Sequence, residues 1–120
     1  MNVLSLILSS YEEAMESMAS GDYEAAISRF QQVLVVDPKS YNAKFQVARA
    51  LSYSGHRDTA IQRYNELLER NPINSDVLLG SGRVFTWESR YQEAEKDLLL
   101  ATSTAPNYGD AWSALGDLYY

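Results

Sequence analysis

Apolar and small side chains recur along this chain at an interval of 34 residues. The clearest columns are Ala26, Ala60 and Ala94; Phe30, Tyr64 and Leu98; Val33, Leu67 and Ala101; and Pro38, Pro72 and Pro106. Within one interval the apolar residues are three or four positions apart, which is the spacing of one helix face. A fixed period of this length indicates stacked supersecondary units, because each unit has an apolar face that it cannot bury alone.

Glycine and proline predict where the helices end. Gly21 and Gly55 follow the first helix of their units and tolerate the left-handed backbone found there, whereas the third unit has Ser89 at this position. The residue before each repeated proline is pushed out of the helical region, so the second helix should stop there. We therefore expect a single domain with units at about 7–40, 41–74 and 75–108 and a half unit at 109–120, built from helices of about 12–14 residues.

A column of small residues predicts a close helix crossing in every unit. Ala14, Ala48, Gly82 and Gly116 fall on one column of the first helices, and the repeated alanines of the second helices should face them. Small side chains at a crossing permit a short distance between helix axes, while larger neighbours fill the space on either side. Packing alone explains most of the repeated residues.

The last half unit identifies the kind of repeat. Trp112, Leu115, Gly116 and Tyr119 spell W-x2-L-G-x2-Y, and the columns described above continue this signature in the full units. The chain resembles the tetratricopeptide repeat family over nearly its whole length. The resemblance implies an all-α fold, a right-handed superhelix of helix–turn–helix units with seven helices. It also implies a non-catalytic scaffold that binds a segment of a partner protein in a concave groove.

In this family the first helices of successive units line the groove. The residues on those columns are Asn42, Phe45, Gln46, Arg49 and Tyr53 in the second unit, and Asp76, Leu79, Arg83 and Trp87 in the third. An arginine pair beside an aromatic pair suits an interface, since these residue types often anchor protein contacts. The alternative is structural: the two aromatic residues cover turns, and each arginine pairs with an acid such as Asp76 or Asp117.

One subtype of the family does not fit this chain. Members that bind chaperones hold a C-terminal carboxylate with a clamp of lysine and asparagine side chains. Phe45 and Leu79 occupy columns where that clamp would place a lysine. The arginines could still hold a carboxylate by a different geometry.

Composition and charge narrow the partners. The chain is 46% hydrophobic and 22% charged, as in ordinary globular proteins, and its net charge of -6 argues against nucleic acid and against anionic membrane surfaces. The apolar stretch from Val3 to Leu8 is too short to insert into a membrane. The chain has no cysteine, which fits the cytoplasm and the periplasm alike.

The sequence predicts no enzyme, no metal site and no cofactor. His56 is the only histidine and has no second ligand at metal-binding spacing, so we expect a structural or exposed role. The segment around Gly80 and Gly82 lacks the lysine of a phosphate-binding loop.

The two ends depart from the repeat pattern. Tyr11, Met15 and Met18 form an apolar stripe on a different face of the first helix, so either that helix is rotated as a cap or the stripe meets the groove or a partner. The final helix should bury Trp112 and Leu115 against the third unit, but Leu118, Tyr119 and Tyr120 at its end lack a second helix to cover them. We therefore expect a fragment of a longer array, or a homo-oligomer formed through the exposed terminal helices.

A second resemblance covers only the C-terminal half. The segments 82–87 and 110–117 look like repeats that precede outer-membrane barrels in YaiO-like bacterial envelope proteins. This resemblance gives the alternative function: a structural or assembly module of a larger bacterial envelope or secretion protein.

Overall fold

The computed structural model describes residues 2–120, and this range contains seven α-helices and no β-strand. The helices are α1 (Val3–Ser20), α2 (Tyr23–Val36), α3 (Tyr41–Tyr53), α4 (Arg57–Arg70), α5 (Ser75–Trp87), α6 (Tyr91–Thr104) and α7 (Gly109–Tyr119). The predicted all-α architecture of seven helices is confirmed. The fold divides into two compact units, one ending at Thr59 and the other beginning at Ala60. From here on, the first unit and the second unit are these two compact parts and not the 34-residue repeats.

The helix boundaries follow from local capping chemistry. The side chain of Ser40 accepts a hydrogen bond from the Ala43 amide at the start of α3, and the side chain of Asn74 accepts two amide hydrogen bonds at the start of α5. These bonds satisfy donors that have no partner within the helix. After α1, Gly21 has a φ of 81° and its amide donates to carbonyl oxygens of the last turn. Ser89 has a φ of 60° at the equivalent position of the second unit.

The first unit is held together by α1, α2 and α3. α1 and α2 run antiparallel, with Tyr11 packed edge-on against Phe30 at 5.3 Å between ring centroids. Ala14 and Ala26 are fully buried, as their small-residue columns predict. Met18 also lies in this core. The face of α1 that packs inward therefore includes both the repeat column and part of the divergent stripe.

The second unit shows why glycine is needed at two positions of α5. A Cβ atom on Gly82 would lie 2.6 Å from a methyl carbon of Leu98, which is fully buried in α6. A Cβ atom on Gly80 would lie 2.7 Å from the ring of Tyr64. Both distances are too short for a real contact, so each glycine permits a close approach of a large side chain.

α7 packs against α5 and α6 of the second unit with only one of its faces. Leu115 is buried in a cluster with Leu79 and Leu98, and Leu118 packs partly against it. We expected Trp112 to be buried as well, and this was wrong: its side chain is 50% exposed. Its indole N–H donates a hydrogen bond of 2.9 Å to the Pro106 carbonyl oxygen, so the tryptophan fastens the turn before α7 instead of filling the core.

None of the helices within residues 2–120 combines the length and the apolar character that crossing a bilayer requires.

Candidate functional site

Arg49 is the central charged residue of the candidate site in the first unit. Its guanidinium group lies 5.9 Å from the ring centroid of Phe45 and 6.0 Å from that of Tyr53. Its Nη1 donates a hydrogen bond of 2.7 Å to Oε1 of Gln46. Among the described residues of this unit, no carboxylate forms an ion pair with Arg49. The structure therefore orients this cation with aromatic rings and an amide, and leaves its charge without a counterion from its own unit.

Arg49 lines an apolar pocket. The pocket has a volume of about 370 Å³ and is lined by Met15, Met18, Ala19, Tyr23, Arg49 and Tyr53, from α1, α2 and α3. The rings of Tyr23 and Tyr53 lie 5.4 Å apart and form one wall. The two methionines supply flexible, polarisable side chains opposite a single fixed charge. Concave apolar surfaces with one well-placed polar group are typical of binding sites.

Two residues of the stripe on α1 contribute to the core of the unit and to this pocket. Met18 is buried in the core and Met15 packs partly against it, beside the repeat-column residue Ala14. Both methionines also line the pocket. Sequence reasoning placed Arg49 and Tyr53 on a binding surface but missed Ala19 and Tyr23, because these residues lie on either side of the turn between α1 and α2, outside the groove columns.

A second concave surface in the same unit has a different character. Its volume is about 570 Å³, and it is lined by Glu13, Glu16, Ser17, Ser20 and Arg29. Arg29 already pairs with Glu13 at 2.5 Å, and both side chains are about half exposed. Arg29 therefore has a counterion on this surface, in contrast to Arg49.

In the second unit, Asp76 is engaged by a tyrosine instead of an arginine. Its Oδ1 accepts a hydrogen bond of 2.7 Å from the hydroxyl group of Tyr108. Partial burial, followed by this bond to a carboxylate, raises the pKa of Tyr108 to about 12. Arg83 is half-buried and forms no ion pair with Asp76 or Asp117 among the described residues of this unit. The two ion pairs named in the structural alternative are therefore not formed by Arg83 within this unit.

The remaining predicted groove residues differ in accessibility. Asn42, Tyr53 and Trp87 are exposed, and Phe45 is half-buried. Gln46 is 8% exposed and Leu79 is 5% exposed. Leu79 packs against α6 and α7 within the core of the second unit, so it offers little surface to a ligand.

The described residues do not group into a metal site: no set of three histidine, cysteine or acidic side chains within 2–120 is arranged to hold an ion. His56 is exposed, and its Nε2 atom lies 3.5 Å from a carboxylate oxygen of Glu24.

Comparison with known proteins gives relatives whose sequences are similar to this chain over part of their length. The chain is 29% identical over 100 residues to DnaJ homolog subfamily C member 3 of Gallus gallus, a match that spans 80% of this chain and 20% of that protein. It is 23% identical over 112 residues to the photosystem I assembly protein Ycf3 of Prochlorococcus marinus, a match that spans 91% of this chain and 65% of that protein. The chain therefore spans less than two thirds of the length of these curated relatives.

Solved structures share the fold at low sequence identity. The type III secretion chaperone SycD of Yersinia enterocolitica, in complex with a peptide of the translocator YopD, has a TM-score of 0.82 at 20% identity, covering 98% of this chain and 97% of that one. The first TPR domain of Spaghetti (RPAP3), bound to the HSP90 peptide SRMEEVD, has a TM-score of 0.83 at 19% identity, covering 94% of this chain and 90% of that one.

Family models decide the classification. Two models described as tetratricopeptide repeat match residues 17–72 and residues 45–108. The second match alone covers more than half of the chain, and the two overlap across α3 and α4. The matched residues include the repeated alanines, the large packing residues that follow them, and the closing prolines. The chain therefore belongs to the tetratricopeptide repeat family.

Proposed function

We propose that this protein is a non-catalytic interaction scaffold that binds a segment of a partner protein in a concave groove lined by the first helices of its repeats. The observation that supports this most is Arg49, a cation 5.9 and 6.0 Å from two aromatic ring centroids with no counterion from its own unit. Arginine and aromatic side chains are the residues that most often dominate binding energy at protein interfaces. The complexes of SycD and RPAP3 with peptides show that related folds bind protein segments.

The residues proposed to contact the partner are those of the predicted groove columns. The accessible members are Asn42, Phe45, Arg49 and Tyr53 in the first unit and Asp76, Arg83 and Trp87 in the second. Gln46 and Leu79 lie on the same columns but are buried. In this proposal the arginines meet acidic groups of the partner and the aromatic residues meet its apolar side chains.

The test compares matched variants of the whole chain. Proteins retained by the unmodified chain are identified by quantitative mass spectrometry and compared with those retained by an Arg49→Ala, Arg83→Ala double variant and a Tyr53→Ser, Trp87→Ser double variant. The control removes Arg63 and Lys96, two exposed cations on α4 and α6. We expect specific partners to be lost from both groove variants and kept by the control. Equal retention by all four chains, each shown to be helical by circular dichroism, would refute the proposal.

A second candidate function is that of a structural or assembly module within a larger bacterial envelope or secretion protein. Exposed apolar side chains at both terminal helices favour it: Val3, Leu4, Leu6 and Leu8 on α1, and Trp112, Tyr119 and Tyr120 at the end of the chain. Apolar patches of this kind often mark contact surfaces, and identical ends could join two copies as a homo-oligomer.

Sedimentation at increasing concentration tests this candidate. A Leu4→Glu, Leu8→Glu double variant removes the α1 surface, and a Tyr119→Glu, Tyr120→Glu double variant disrupts the exposed apolar end of α7. Met18 and Leu118 are left unchanged, because Met18 lies in the core and Leu118 packs against the cluster around Leu115. Concentration-dependent association that one variant abolishes identifies the surface used. A chain that stays monomeric throughout removes self-association from the proposal.

A further inference from the structure

We infer that the pocket of the first unit binds one large apolar side chain of the partner together with a neighbouring acidic side chain, which pairs with Arg49. This inference rests on the proposed scaffold function and deepens it, because it names the chemistry that the partner segment must present. The pocket is the one lined by Met15, Met18, Ala19, Tyr23, Arg49 and Tyr53.

The size and the lining of the pocket indicate an apolar anchor. A volume of about 370 Å³ lies at the lower end of the range of ligand pockets, which suits one or two side chains and not an entire folded element. Its walls are two thioether side chains and two tyrosine rings. Methionine adapts its shape to irregular apolar partners, whereas tyrosine gives a rigid wall. A leucine, isoleucine, methionine or phenylalanine side chain fits this combination.

The positive charge of the pocket indicates that the partner segment also presents an acidic group. Arg49 is the only charged residue that lines it. One of its N–H groups is used by Gln46, and the rings of Phe45 and Tyr53 lie within about 6 Å of the guanidinium group. Several donors remain for an acceptor, and no carboxylate of the same unit takes them. A half-buried arginine of this kind forms its strongest hydrogen bonds with a carboxylate.

We assign this carboxylate to an aspartate or glutamate side chain of the partner instead of its chain terminus. Only one cation lines the pocket, and the Gln46 amide oxygen is already engaged by it. The site therefore offers one fixed positive group beside an apolar cavity. Such a site recognises an acidic residue placed next to an apolar one within a continuous segment.

The experiment uses an array of acetylated, C-terminally amidated octapeptides of random sequence, so that no peptide has a charged terminus. We expect the unmodified chain to retain peptides in which leucine, isoleucine, methionine or phenylalanine lies within two positions of an acidic residue. A representative retained peptide is then titrated in solution against each variant. Arg49→Gln should weaken its binding about tenfold, in line with the loss of a charge-assisted hydrogen bond. Lys39→Gln, which removes an exposed cation outside the pocket, should leave binding unchanged.

A blocking variant tests the location. Ala19 lines the pocket but is exposed on α1, so Ala19→Trp should fill the cavity without disturbing the core, and it should abolish retention. Ala19→Glu is a second blocking variant and should also abolish retention, because it brings a carboxylate of the chain itself to the pocket rim. This inference would be overturned if the retained peptides bind both Ala19 variants and Arg49→Gln as they bind the unmodified chain, but lose binding to Arg83→Ala or Trp87→Ser. That result would leave the scaffold proposal standing. Failure to retain any peptide would count against both.

Discussion

Gly82 in α5 and Gly116 in α7 occupy the same column of the repeat, 34 residues apart, yet they meet different surroundings. A Cβ atom on Gly82 would collide with Leu98, whereas a Cβ atom on Gly116 would have no neighbour within 4 Å. The first glycine is required by a crossing helix, and the second keeps the repeat signature without that constraint. The same residue at the same column therefore indicates an equivalent position within the repeat, but only the structure shows which residues that position contacts.

The largest expected effect comes from enlarging both glycines. Gly82→Leu should lower the free energy of unfolding by about 1–3 kcal/mol, because the new side chain overpacks the contact with Leu98. Gly116→Leu is the matched control and should change it by less than about 0.5 kcal/mol, as is usual for unconstrained positions. Urea denaturation followed by circular dichroism measures both. Equal destabilisation by the two variants would remove the distinction between α5 and α7.

Helix capping gives a second comparison between the same two helices. Asn74 accepts two amide hydrogen bonds before α5, whereas Tyr108, at the equivalent position before α7, makes no side-chain cap. Asn74→Ala should therefore cost about 1 kcal/mol of stability. Asn42→Ala changes an exposed asparagine in the first turn of α3, where Ser40 is the cap, and serves as the control. If both alanine variants melt at the same temperature, Asn74 has no capping role.

The turns between first and second helices sharpen the comparison of the two units. Gly55 has a φ of 92° and Ser89 has a φ of 60°, so both residues are left-handed, but only the glycine avoids the steric cost. Ser89→Gly should stabilise the protein by about 0.5–1 kcal/mol, and Gly55→Ser should destabilise it by a similar amount. Thermal melting of the two variants gives opposite shifts. A loss of stability in Ser89→Gly would mean that the exposed contact of the Ser89 hydroxyl with Tyr91 matters more than the backbone.

The smallest expected effect is a change with pH. The pKa of Tyr108 is raised to about 12 by partial burial and by its hydrogen bond to Asp76, so the folded state favours the protonated phenol. This stabilisation is present below pH 10 and should be lost as the pH rises from 10 towards 12. Difference absorbance spectra at alkaline pH, comparing the unmodified chain with Tyr108→Phe, isolate this titration. Asp76→Asn should move it to lower pH, and an unchanged titration would show that the bond to Asp76 contributes nothing.

The repeat period was enough to predict seven helices and most of their boundaries; α1 is the exception, because it begins at Val3, before the first predicted unit, and has 18 residues. The information in the period is local: a glycine or a serine after a helix and a proline after the next one restrict the backbone whatever the surroundings. A close helix crossing at Gly82 was also predicted from the columns, but the sequence placed the repeated alanine opposite it, whereas the nearest side chain is that of Leu98. The exposure of Trp112 was not predicted, because burial of the signature tryptophan depends on neighbours that the column alone does not specify.

The candidate site was predicted in part. Arg49 and Tyr53 were found because they occupy first-helix columns rich in arginine and aromatic residues. Tyr23 and Ala19 could not be found in that way, because their contribution depends on how the turn after α1 brings α2 next to α3. The lack of a counterion for Arg49 within its unit was also invisible in the sequence, since acidic residues are plentiful in this chain and only distances exclude them.

The pattern of helix contacts has a consequence for folding kinetics. Within each unit the packed helices are close neighbours along the chain: α1 with α2, α2 with α3, α5 with α6, and α7 with both α5 and α6. Closing such short loops costs little chain entropy, and proteins dominated by local contacts fold within microseconds to milliseconds. All peptide bonds among the described residues are trans, including those before the three prolines. Each unit can therefore start folding at a single helical hairpin, before distant parts of the chain have met.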